Sequence, residues 1–123
     1  MPRLAPILII DDDQDIRESI GLLLRSEGYG VFEARSGNQA LTLLRGGVRP
    51  SLILLDLWMP DGDGWYVRAA LQELQALRDV PLVIVSGAPS RGAASMGVGL
   101  LTKPISLKRL LGFASTYCDR PPC

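Results

Sequence analysis

The sequence predicts a doubly wound α/β domain built on a five-stranded parallel sheet, and three observations lead to it. Four short apolar runs, rich in Ile, Leu and Val and without period-2 alternation, read as strands buried on both faces. Between them lie segments whose apolar residues recur with helical period. Each run also stops at a residue with chemistry to offer. Leu4–Ile10 runs into Asp11-Asp12-Asp13, Leu52–Leu55 ends at Asp56, Leu82–Val85 at Ser86, and Leu100-Leu101-Thr102 at Lys103-Pro104. Parallel strands place their carboxyl ends on one edge, where open α/β sheets bind ligands, so these residues are expected to meet at one site.

Taken in order, the first strand leads into a helix from about Asp13 to Glu27. Its residues Ile16, Ile20, Leu23 and Leu24 form one apolar stripe, and Gly28 stands at the C′ position. An edge strand around Tyr29–Ala34 follows, with Val31 and Phe32 as its β-formers. Ser36 and Gln39 have capping-box spacing and open a second helix through about Arg45. Glycines 62 and 64 are expected to turn the loop after Asp56 tightly into a third helix, striped by Val67, Ala70, Leu71 and Leu74. Residues 87–99 hold four glycines and a proline, among them Gly87 and Gly99. At about 1 kcal/mol per interior glycine relative to alanine, the fourth helix is expected to be short, Ser90–Met96, or frayed. Leu107, Leu110, Leu111 and Ala114 stripe the last helix. A β-α unit repeated five times in one sheet, with right-handed crossovers, suits the flavodoxin-like strand order 2-1-3-4-5.

The 123 residues suffice for one domain with a real core, at 47% hydrophobic and 21% charged residues. The expected division is a domain over 1–118 and a tail or linker stub over 119–123. Net charge is zero, so no basic footprint for nucleic acid or for a membrane surface is present. The apolar N-terminal stretch runs straight into aspartates and reads as a strand rather than a secretion signal, and no run approaches the ~20 residues that cross a bilayer. Cys118 and Cys123 are too few for a disulfide framework and read as free thiols of a cytoplasmic protein. Histidine is absent. That removes Ser-His-Asp and Cys-His nucleophile schemes, the usual zinc sites and a phosphohistidine carrier.

The remaining chemistry belongs to carboxylates, hydroxyls, lysine and a metal. Asp11, Asp12 and Asp56 crowded together repel one another unless a cation neutralises them. Mg²⁺, hard and octahedral, suits such a set and offsets charge on a transferring phosphoryl group. Removing an acid at Asp12 or Asp13, or adding Mg²⁺, is therefore expected to raise the melting temperature. Lys103 offers a point charge to a phosphate oxygen, and Ser86 a hydroxyl donor. Pro104 imposes a fixed backbone, with a cis bond as an available form, that aims Lys103. Each residue also has a plainer reading: Asp13 and Asp15 as favourable charges at a helix start, Ser86 as a cap or turn residue, Lys103 as a solvated surface lysine.

With Asp11-Asp12, Asp56-Leu-Trp-Met-Pro-Asp-Gly-Asp-Gly, Ser86 and Lys103-Pro104 at the ends of successive strands, the chain resembles the receiver domain of two-component response regulators. The likeness spans about Leu4 to Cys118. It implies that Asp56 accepts a phosphoryl group from a sensor histidine kinase or a small phosphodonor. It implies Mg²⁺ ligation by Asp12, Asp56 and the backbone carbonyl of Trp58, with Asp11 acting through water. It also implies a protein that catalyses its own phosphorylation and dephosphorylation without being a turnover enzyme. A downstream protein partner, no direct nucleic-acid or membrane contact by this chain, and a monomer or weak homodimer complete the expectation. Ser86 and Leu100 occupy the switch positions. Receivers usually carry Tyr or Phe where Leu100 stands, and the segment from Ser86 to Lys103 is several residues shorter than is usual. Both departures fall on the face that receivers use to signal or dimerise.

Three other readings compete. A non-phosphorylated pseudo-receiver, serving as an interaction module, would keep the fold alone. A haloacid-dehalogenase-like phosphatase would use Asp11-Asp12-Asp13, Ser86 and Lys103, yet needs an acidic pair after the lysine where only Asp119 lies downstream. An EF-hand on Asp11, Asp13 and Asp15 fails, because Ile16 holds the glycine position and Leu22 the glutamate position.

Overall fold

In the computed structural model, which describes residues 6–56, 63–74, 79–87 and 99–118, the apolar runs are strands. They are β1 (Ile7–Ile10), β2 (Val31–Ala34), β3 (Leu52–Asp56), β4 (Leu82–Ser86) and β5 (Gly99–Thr102). All pair in parallel, in the order β2-β1-β3-β4-β5. The helices are α1 (Gln14–Ser26), α2 (Gly37–Arg45), α3 (Asp63–Glu73) and α4 (Leu107–Tyr117). The expected short helix over 90–96, the tail over 119–123, Gly62 and Trp58 lie outside the described residues.

Burial explains why the strands show no alternation. Leu8, Ile10, Ile53, Leu55, Leu82 and Ile84 face the core beneath α2 and α3, while Ile7, Ile9, Leu52, Leu54, Val83, Val85 and Leu101 face the one beneath α1 and α4. Successive side chains point to opposite faces, and over β1, β3 and β4 both faces are covered, so their positions up to the carboxyl end are apolar. The edge strand β2 instead carries Glu33 and an exposed Phe32. The helical stripes serve the same cores: Ile20 and Leu24 are buried with Ile16 and Leu23 beside them, and Val67 and Leu71 with Ala70 and Leu74. Cys118 is buried under α4.

The helix ends follow local chemistry. Asp13 caps α1, its carboxylate accepting from the Asp15 and Ile16 amides. Gly28, at φ +96, closes α1, with its amide bonded to the Arg25 carbonyl and that of Tyr29 to Leu24, the paired bonds of a Schellman ending. Ser36 caps α2 through the Gln39 amide, while the Gln39 side chain accepts from the Arg35 amide, one residue before the cap.

Three local expectations change. Tyr29 is buried but precedes the edge strand, which begins at Val31. Gly64 lies inside α3 rather than in the loop before it. Leu107 is not part of the buried stripe of α4: it is 58% exposed, and the buried line runs through Leu110, Ala114 and Cys118 with Phe113 and Tyr117 beside it. Helix side chains lean toward the N-terminus, so a first-turn leucine reaches past the sheet edge. It borders a cleft of about 360 Å³ with Ile16, Ile20, Pro104 and Ile105. At the other end of that face the Phe113 ring lies directly over Gly99, so a side chain there would require the ring to move.

Candidate functional site

Strand order reverses between β1 and β3, because β1 pairs with both β2 and β3. α1, which follows β1, and α3, which follows β3, pack on opposite faces, and the crevice between the loops at the ends of β1 and β3 is where open α/β sheets hold ligands. Ile10 registers with Leu55, so Asp11 and Asp56 stand on the next rung, side by side. Asp56 registers with Val85, Ser86 with Thr102, and the ladder continues one step as the Lys103 amide donates to the Ser86 carbonyl at 2.9 Å. Four of the five strands, β1, β3, β4 and β5, thus deliver Asp11, Asp56, Ser86 and Lys103 to one edge.

Asp11 and Asp56 are buried and Ser86 is fully so, while Asp12 is exposed. The Lys103 ammonium lies 3.1 Å from Asp11 Oδ2 and 3.3 Å from Asp56 Oδ2. Burial alone would lower its pKa. The hydrogen bond and charge of Asp11, with the charge and hydrogen bond of Asp56, outweigh burial and raise it above the usual lysine value. Lys103 is therefore no solvated surface lysine, and its side chain keeps only 22% exposure. The peptide joining it to Pro104 is cis.

This geometry revises the picture of three mutually repelling acids. Lys103 supplies a neutralising cation, shared between Asp11 and Asp56. Asp13 turns its carboxylate to the helix cap instead, so removing it takes away a cap rather than a repulsion. Asp11 Oδ1 meanwhile accepts from the Asp13 amide at 2.9 Å.

Asp11, Asp12 and Asp56 can each present one carboxylate oxygen with all three within 4.8 Å of one another. Opposite ligands of an octahedral Mg²⁺, at about 2.1 Å each, stand about 4.2 Å apart. Small side-chain adjustments close that difference, so the residues fit the ion. Trp58, the expected carbonyl ligand, lies outside the described residues. Leu100, the expected switch position, is partly buried against the α2/α3 core, on the sheet face opposite Leu101.

One residue of the site escaped the sequence reading. Arg17, on the first turns of α1, donates from Nη1 to the Asp11 carbonyl at 2.8 Å and holds Glu33 of β2 at 3.5 Å. The signal was an arginine six residues after Asp11 in a helix whose apolar positions already claimed its inner face.

Comparison with known proteins agrees with this geometry. The family described as the response regulator receiver domain matches residues 7–114. Response regulator MprA of Mycolicibacterium vanbaalenii is 34% identical over 110 residues, covering 85% of this chain and 46% of its own length. The chain spans about half or less of the length of the curated relatives it matches. Among solved structures, the Vibrio cholerae chemotaxis protein CheY4 superposes with a TM-score of 0.83 at 25% identity, covering 93% of this chain and 98% of that one. The beryllofluoride-activated NtrC4 receiver domain dimer does so with 0.82 at 28% identity, covering 94% and 97%. A matched span of this extent, over a parallel sheet in the order β2-β1-β3-β4-β5, shows that the chain belongs to the response regulator receiver domain family.

Proposed function

We propose that this receiver accepts a phosphoryl group on Asp56, from the phosphohistidine of a sensor kinase or from a small phosphodonor, in a Mg²⁺-dependent reaction. The observation that supports it most is the convergence of Asp11, Asp12, Asp56 and the Lys103 ammonium at the switch point of the sheet.

An Asp56 carboxylate oxygen attacks phosphorus, an acyl phosphate bond forms, and the P–N or P–O bond of the donor breaks with its electron pair on the leaving group. Asp12, Asp56 and the Trp58 carbonyl, with Asp11 acting through water, would hold Mg²⁺, which would supply neutralisation of the charge on the phosphoryl oxygens. The Lys103 ammonium, placed beside Asp56, donates to one phosphoryl oxygen, and the Ser86 hydroxyl to another. Burial of Asp56 keeps its carboxylate poorly solvated. The group stays on the protein, so one equivalent is taken up and no substrate is turned over. The signal leaves by protein contact within the cytoplasm, through Ser86 and the face bearing Leu100, to a downstream partner. Oligomeric state under this reading is monomer or weak homodimer. No helix among the described residues is long and apolar enough to cross a membrane.

The test is incubation with a labelled small phosphodonor and Mg²⁺. Acid-stable, hydroxylamine-labile label approaching one per chain is expected, abolished in Asp56→Asn and by chelation of Mg²⁺. Full labelling of Asp56→Asn refutes the assignment. Sustained phosphate release from a generic ester would favour the phosphatase reading, and intact folding without label the pseudo-receiver.

A further inference from the structure

Every polar group of Asp11 has a partner. Its amide donates to the Ala34 carbonyl at 3.1 Å, Oδ1 accepts from the Asp13 amide, and Oδ2 meets Lys103. The carbonyl takes Nη1 of Arg17 at 2.8 Å. Arg17 does not end there. Its Nε stands 3.5 Å from Glu33 Oε1, and Glu33 Oε2 stands 3.3 Å from Arg25 Nη2, which also donates to the Val31 carbonyl at 3.4 Å. The Arg17 side chain is 14% exposed and that of Glu33 24%, whereas Arg25 is half in solvent. A strut therefore runs from β2 through Glu33 and Arg17 to the peptide that joins Asp11 to Asp12.

We propose that Arg17, oriented by Glu33, is a positioning residue for the acidic pair: it clamps the Asp11–Asp12 peptide so that both carboxylates face Asp56. The inference rests on the proposed Mg²⁺-dependent function and adds to it a residue that touches neither metal nor phosphoryl group. The peptide plane is rigid, so holding its carbonyl fixes where Asp12 begins. Asp12 itself is exposed and lacks the packing that would hold it otherwise. A planar guanidinium can serve a carbonyl and a carboxylate together, which an ammonium on a flexible stem does poorly.

The sign of the effect separates this role from its rivals. Arg17 is a cation near a cation site, so on charge alone its removal should tighten Mg²⁺ binding. A purely structural role would lower the melting temperature and leave the affinity alone. Positioning predicts weaker binding, by about tenfold, the low end for residues that orient metal ligands. Mg²⁺ affinity is measured by calorimetric titration of the full chain well below its melting temperature, for wild type, Arg17→Ala, Arg17→Lys, Glu33→Gln and the Arg17→Ala/Glu33→Gln pair. The expected results are about tenfold weakening for Arg17→Ala, partial recovery in Arg17→Lys, and roughly threefold weakening in Glu33→Gln, with the double variant no worse than Arg17→Ala because both act through one contact. Should Arg17→Ala fail to fold, Glu33→Gln and Arg17→Lys decide the question. Affinity unchanged or tightened in the folded variants overturns the inference while the function stands. A wild-type chain that binds no Mg²⁺ overturns the proposed function and this inference with it.

Discussion

Replacing Lys103 with methionine keeps an apolar stem of similar length and removes the ammonium that Asp11 Oδ2 and Asp56 Oδ2 share at 3.1 and 3.3 Å. Two buried carboxylates then face each other without a counter-charge. Removing one partner of a fully buried pair costs about 3–5 kcal/mol. The Lys103 side chain keeps 22% exposure, so solvent screens part of the loss, and about 2–3 kcal/mol is expected. For a chain of this length that corresponds to a fall of roughly 10 °C in Tm. Urea denaturation in a chelator measures the difference directly. With Mg²⁺ at about ten times its Kd, wild type should gain about 1.4 kcal/mol, and Lys103→Met more, because the ammonium no longer competes for the same oxygens. The pH dependence has a definite sign. Folding raises the Lys103 pKa above 10.5, so the native state holds that proton more tightly than the unfolded chain does. The contribution is complete below about pH 10 and is lost as pH rises through the folded value. The gap between wild type and variant should therefore be flat from neutral pH to about 10 and close above it. A variant within 0.5 kcal/mol of wild type in chelator, by about the scatter of surface substitutions, with no extra response to Mg²⁺, would refute the counter-ion role.

Asp13→Ala should lower stability by about 1 kcal/mol, the usual cost of losing an N-cap, with Mg²⁺ affinity little altered. Thermal melts followed by circular dichroism check the first part, and a higher Tm would restore the simple repulsion picture. Leu100→Ala should cost about 1–2 kcal/mol, below the range for fully buried leucines, since Leu100 is only partly buried. Its fluorescence response to beryllofluoride and Mg²⁺ should match that of wild type, because leucine has no ring to swing. Loss of that response at unchanged stability would make Leu100 a switch residue.

Much of this protein was legible from residue type and spacing alone. Runs such as Ile7–Ile10 and Leu52–Leu55 cannot expose either face without cost, so they had to become central parallel strands. Asp13, Gly28 and Ser36 marked their helix ends because capping is a local matter of one side chain or one backbone angle. Strand ends placed Asp11, Asp56, Ser86 and Lys103 on one edge for the same reason: register follows from the buried pattern. Tertiary structure decided which of those groups touch. Lys103 could have pointed to solvent, and only the packing of β5 beside β4 brings its ammonium between Asp11 and Asp56. Asp12 and Asp13 are identical in sequence terms, yet the turn into α1 sends one to the acidic cluster and the other to a cap. Leu107 continued the apolar period of α4, but the sheet edge ends before it and leaves it exposed. Arg17 and Glu33 lie on different elements, sixteen positions apart, and periodicity carries no information about such a pair. Side chains from separate elements meet only when the sheet is assembled, so their partnership belongs to the fold rather than to any local stretch of sequence.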